Sequence, residues 1–64
     1  MRDERLLTVK ETAQYLGTTP GNVYDWVKNG KGPRYVRMGR SIRYRLSDLE
    51  KYVDVRVVEP SSLV

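Results

Sequence analysis

The side chains with the clearest chemical purpose lie in residues 31–45, KGPRYVRMGRSIRYR. They include six positive charges (Lys31, Arg34, Arg37, Arg40, Arg43 and Arg45) and no acid. The whole 64-residue chain has 12 basic and 8 acidic side chains, so outside this stretch the balance reverses to 6 against 8. One concentrated basic segment is set into an otherwise acidic chain. Arginine presents planar, forked donors with weak hydration, which suits phosphate oxygens and narrow grooves. A polyanion, and a nucleic acid above all, is the implied partner. Charged and apolar residues alternate around Gly39-Arg40-Ser41, the pattern of a β-hairpin with strands over 35–38 and 42–45. Arg40 then stands at the tip, Arg37, Arg43 and Arg45 line one outer face, and Arg34 and Ser41 flank them. Neutralising about five phosphates gives a log-log salt slope of roughly −4 to −5.

A second group of residues surrounds Pro20. With Val23, Trp26 and Val27 as the buried stripe of a helix, its outer face carries Pro20, Gly21, Tyr24, Asp25 and Lys28, with Asn22 to one side. An amide can bind adenine N6 and N7 together, so Asn22 is the base-contact candidate. Tyr24 suits a phosphate or a thymine methyl, and Lys28 a phosphate. Thr18 and Thr19, beside the helix N-terminal amides, are placed to bind the backbone. Asp25 must face a cytosine amino group or pair with Lys28 one turn on. Gly21 costs helix propensity, about 1 kcal/mol relative to Ala, which a closely approaching surface would justify.

Composition excludes other chemistries. The chain has no cysteine and no histidine, so a disulfide framework, a thiolate metal site and an imidazole proton shuttle are all ruled out. No catalytic residue, metal ligand or cofactor is expected. No apolar run approaches the ~20 residues of a membrane span, and MRDERLL is too charged for a signal peptide, which implies a cytoplasmic protein.

The elements that position these groups follow from capping signals. Thr8-Val9-Lys10-Glu11 is a capping box, and Val9, Ala13 and Leu16 share a helical face that ends at Gly17, predicting a helix over 9–16. Thr19 as N-cap and Pro20 at the first position start a second helix over 20–29, stopped by Asn29-Gly30. The short connection is that of a helix-turn-helix. After the hairpin, Ser47-Asp48-Leu49-Glu50 reads as a second capping box, with a helix over 48–56 carrying Leu49, Tyr52 and Val53 inward. Trp26 and Tyr52 sit at core spacing, while Tyr35 and Tyr44 are less certain. Residues 1–5 read as a flexible leader, 6–58 as the domain and 59–64 as a disordered tail.

The run LLTVKETAQYLGTTPGNVYDWVKNGKGPRYVRMGRSIRYRLSDLEKYV, over 6–53, resembles the small excisionase-type winged-helix family of phages and integrated elements. That family is related to the DNA-binding domains of mercury-responsive-type regulators. The matching parts are Leu7-Thr8-Val9 with Ala13 and Leu16-Gly17, then Val23-Tyr24-Asp25-Trp26, then 36–40 with Ile42-Arg43-Tyr44, and finally Ser47-Asp48-Leu49-Glu50. The resemblance implies an α+β winged helix-turn-helix in the order helix, helix, β-hairpin wing, helix. It also implies double-stranded DNA as partner, with the second helix in the major groove and the wing in the minor groove. The implied role is that of a recombination directionality factor in a bacterial host cell. Such a factor binds beside an attachment site, self-associates along DNA, bends it, and steers a partner integrase toward excision. The alternative within the same fold is a small phage or prophage transcriptional regulator. The sequence departs from the family at Pro20-Gly21 and Asp25, where polar or basic residues are more usual.

Overall fold

The computed structural model describes residues 5–58 and 60. Its elements run β1 (Leu6–Leu7), α1 (Val9–Leu16), α2 (Pro20–Lys28), β2 (Val36–Met38), β3 (Ser41–Arg45) and α3 (Leu46–Asp54). This is the α+β winged helix-turn-helix order expected, with one addition. Leu6 and Leu7 form a short strand that pairs antiparallel with β3, making a three-stranded sheet in the order β1-β3-β2. The pairing continues where the Arg5 carbonyl accepts from the Leu46 N–H. A free two-stranded hairpin is marginally stable, and the third strand anchors its inner strand to the start of the domain.

The first capping box forms as expected. The Thr8 N–H donates to Glu11 Oε1 at 2.9 Å, and the Glu11 N–H donates to Thr8 Oγ1 at 3.1 Å. Gly17, at φ 73°, closes α1 with paired bonds from Gly17 to Gln14 and from Thr18 to Ala13. Thr19 then caps α2 through its hydroxyl, which accepts from the Asn22 N–H. At the far end, Lys31 N–H donates to the Trp26 carbonyl at 2.7 Å as the chain turns away. Gly32 follows at φ 83°, and a Cβ there would lie 2.9 Å from Trp26 Cβ, so the loop can press onto the indole only as glycine.

The second capping box is a correction. α3 begins at Leu46, two residues before its expected start, and its N-cap is Arg45, which makes no side-chain cap hydrogen bond. Instead Arg45 Nε donates to Asp48 Oδ2 at 2.9 Å, joining the end of β3 to the first turn of α3. The helix runs directly out of the strand, and Ser47 lies inside it rather than before it. The other end is also earlier than expected, at Asp54 with Val55 as C-cap, and α2 stops at Lys28.

The buried core consists of Leu7, Val9, Ala13, Val23, Tyr44 and Leu49. Leu16, Trp26, Val27, Ile42 and Leu46 pack around it, half-buried. Tyr44 is the largest fully buried side chain, so it belongs to the core. Its ring meets Tyr35 at 6.0 Å between centroids, and Trp26 meets Tyr52 at the same separation. Both contacts are tilted arrangements of the favourable kind. The Tyr44 hydroxyl and the Thr12 hydroxyl are buried without hydrogen-bond partners among the described residues. Burial, reinforced by the nearby Tyr35 and Tyr52, pushes the Tyr44 phenol above its ordinary ionisation range. The leader residues 1–4 and most of the expected tail, Glu59 and 61–64, lie outside the described residues.

Candidate nucleic-acid interface

Two surfaces carry the residues singled out above. The first is α2. Val23 is fully buried at its centre, and Trp26 and Val27 are half-buried beside it. At 100° per residue this directs Gly21, Asp25 and Lys28 away from the core, with Tyr24 on one flank and Asn22 on the other. All five are exposed, Tyr24 to 55 %. The Gly21 Cβ position has no atom within 4 Å, so its lack of a side chain meets no need inside the fold. No ion pair joins Asp25 to Lys28 among the described residues. The first turn of α2 carries no acid, which leaves the positive end of the helix dipole uncompensated.

Thr18 and Thr19 have partners within the domain. Thr19 Oγ1 is the helix cap, and Thr18 Oγ1 accepts from Asn22 Nδ2 at 2.9 Å. Asn22 is therefore held at both its backbone and its side chain. It also lines, with Thr18, Trp26, Tyr52 and Arg56, a shallow groove of about 350 Å³ between α2 and the end of α3. Arg56 closes that groove by stacking on Tyr52, with its guanidinium carbon 3.6 Å from the ring centroid.

The second surface is the wing, and here the register corrects the expected arrangement. Met38 pairs with Ser41, Arg37 with Ile42 and Val36 with Arg43. The loop is thus the two residues Gly39-Arg40, with Gly39 at φ 63° and Arg40 at negative φ, the pattern of a type II′ turn. Directly opposed residues in an antiparallel pair share a face. Arg37 accordingly lies on the face of Ile42 and the buried Tyr44, next to Tyr35, whose ring centroid is 5.9 Å from its guanidinium carbon. Arg43 and Arg45 lie on the opposite face with Val36, Met38 and Ser41. Arg37, Arg43 and Arg45 do not share one outer face.

The wing arginines also differ in freedom. Arg34, Arg37 and Arg40 are exposed, whereas Arg43 and Arg45 are half-buried. Arg43 Nη1 donates to the Ile42 carbonyl at 2.9 Å, and Arg45 is held by Asp48, which is only 12 % exposed. The available cations thus run from the base of the wing at Arg34 through Arg37 to Arg40 at the tip, with Met38 exposed near the tip at 52 %.

A helix-turn-helix family model, described as a helix-turn-helix domain, matches residues 6–54. The chain belongs to that family. Its members bind DNA, so the helix-turn-helix domain here is a sequence-specific double-stranded DNA-binding domain, of a kind that is typically non-enzymatic. The match covers every element from β1 through α3. No curated protein and no solved structure matches the chain. Among the described residues, no helix is long and apolar enough to cross a membrane.

Proposed function

We propose that this helix-turn-helix domain reads double-stranded DNA with α2 while the wing anchors to phosphates, and that it serves as an excisionase, a recombination directionality factor. The observation that carries the DNA-binding division of labour is the contrast in charge between the two surfaces. The α2 face carries Asp25 and Lys28 and so is nearly neutral, while the wing and its approach present Lys31, Arg34, Arg37 and Arg40 with no acid among them. Affinity then comes chiefly from the wing, and base choice from Asn22, Tyr24 and Asp25. The excisionase role rests on the resemblance of residues 6–53 to excisionase-type sequences. In this role the protein assembles beside an attachment site, self-associates along the DNA and directs a partner integrase, which performs the strand exchange, in the cytoplasm of a bacterial host.

Mobility-shift titration with duplex DNA tests the binding; no complex below ~10 µM at low salt would sink it. The role is tested by recombination of paired attachment-junction sites with the integrase of the source element. Adding this protein should switch the reaction on in the excisive direction. Footprints confined to a promoter, with no effect on recombination, would instead favour a small transcriptional regulator.

A further inference from the structure

We infer that Thr18 is a positioning residue for Asn22, fixing the amide that α2 presents to a base. This rests on the base-reading role proposed for α2. Asn22 is the one exposed polar side chain of α2 that the domain holds in place. Its backbone N–H goes to Thr19 Oγ1 at 3.2 Å and its Nδ2 to Thr18 Oγ1 at 2.9 Å. Tyr24, Asp25 and Lys28 have no such tether among the described residues. Thr18 is in turn fixed, half-buried, by its own N–H bond to the Ala13 carbonyl at 2.8 Å, part of the turn that closes α1. The position of the amide is therefore set by the turn of the helix-turn-helix and not by a free rotamer.

The chemistry of the amide suits this arrangement. Asparagine has two N–H donors and a carbonyl acceptor. With one N–H engaged by Thr18, the second N–H and Oδ1 remain, and these are the donor–acceptor pair that adenine N7 and N6 require. In the free protein the bond is exposed to water and adds little to stability. In a dehydrated interface it spares the complex the cost of ordering that side chain, worth about a two- to tenfold change in affinity. Thr18 Oγ1 holds the amide through a lone pair, so its own O–H donor is not consumed by this bond.

The test uses Thr18→Val, which keeps shape and branching without the hydroxyl acceptor, and Thr18→Ser, which restores it. Each is combined with Asn22→Ala and measured on a duplex selected by the wild-type protein from a randomised pool, against random duplex. Thr18→Val should lower the selected-to-random ratio about two- to tenfold, Thr18→Ser should recover it, and Thr18→Val should have no further effect once Asn22 is alanine. In the free protein, Thr18→Val should also shift the Asn22 side-chain amide NMR signals, and Thr18→Ser should not. Additive effects of Thr18→Val and Asn22→Ala, unmoved Asn22 signals, or an equal loss on random DNA would each overturn the inference. If Asn22→Ala itself leaves the ratio unchanged, the base-reading role fails first and this inference falls with it, a result distinct from additivity.

Discussion

α2 and the wing both face solvent beside the same core, yet they are built on opposite principles. α2 is a nine-residue helix capped at both ends, with Gly21 and Asn22 exposed at its first turn and only two opposite charges on its outer face. The wing is a ribbon of two short strands with a two-residue tip and long cationic side chains on both of its faces. A rigid helix holds a donor–acceptor pattern to the accuracy that base edges demand. Flexible guanidinium groups give charge without fixed geometry, which suits phosphates. The difference predicts that damage to the wing lowers all binding, whereas damage to α2 lowers discrimination.

The largest effect should come from removing the wing's charge. Arg34→Ala, Arg37→Ala and Arg40→Ala together should weaken binding to every duplex by about 10²-fold near 0.15 M salt and make the log-log salt slope shallower by about 2.7. A loss confined to the selected site would reverse the comparison. Next in size, Asn22→Ala should cost about 1–3 kcal/mol on the selected duplex and little on random DNA. Fluorescence anisotropy on both duplexes decides it, and equal losses would make Asn22 a backbone contact.

Gly21→Ala separates fold from interface. The position has free space around it and sits inside a helix, so alanine should stabilise the protein by about 0.5–1 kcal/mol in thermal melts. The same methyl group should weaken the selected complex severalfold if the first turn of α2 approaches DNA closely. A stabilised variant that binds as tightly as wild type would place that turn away from the duplex.

Asp48→Asn tests the half-buried arginine at the base of the wing. Arg45 is 39 % exposed and partly screened by solvent, so losing the pair should cost under about 1 kcal/mol of stability. The freed guanidinium should strengthen random-duplex binding and steepen the salt slope by up to about 0.9. An unchanged slope would show that Arg45 stays off the DNA.

Smallest of all, Tyr44→Phe should alter stability by less than about 1 kcal/mol, because the buried hydroxyl has no partner among the described residues. Burial raises the phenol's ionisation range in the folded protein. The unfolded chain therefore ionises first, and Tyr44 leaves stability undiminished below about pH 10 and lowers it as pH rises through the folded value. Denaturant melts between about pH 9 and 11 should show a weaker alkaline loss in the phenylalanine variant.

Much of the helical part was legible in the sequence. Thr8 with Glu11, Gly17, and Thr19 with Pro20 are local signals, and each acts within four residues along the chain. The helix boundaries they imply for α1, and the start of α2, agree with the structure, and Val23, Trp26 and Val27 turn inward as their spacing requires. Ser47 shows the limit of such signals. It begins an S-x-x-E motif as good as the first, but β3 feeds directly into α3, and Arg45 takes the N-cap position with Asp48 as its partner.

The wing's faces were decided by tertiary structure. Counting Ser41 as a loop residue pairs Met38 with Ile42 and puts Arg37 beside Arg43. Counting it as a strand residue shifts the register by one and sends Arg37 to the opposite face. Alternation alone favours the first, which would place Val36 and Met38 beside Tyr44 and Ile42; the chain adopts the second, closing on the two-residue Gly39-Arg40 turn with Met38 opposite Ser41. The sequence by itself determined that the chain holds two capped helices, a concentrated set of cations and a short hairpin, because those depend on neighbours within a turn or a strand. Which face of the wing each arginine occupies, and which arginines stand free, were decided only when β1, β3 and the helices packed, because a side chain's freedom depends on what the rest of the chain brings to it.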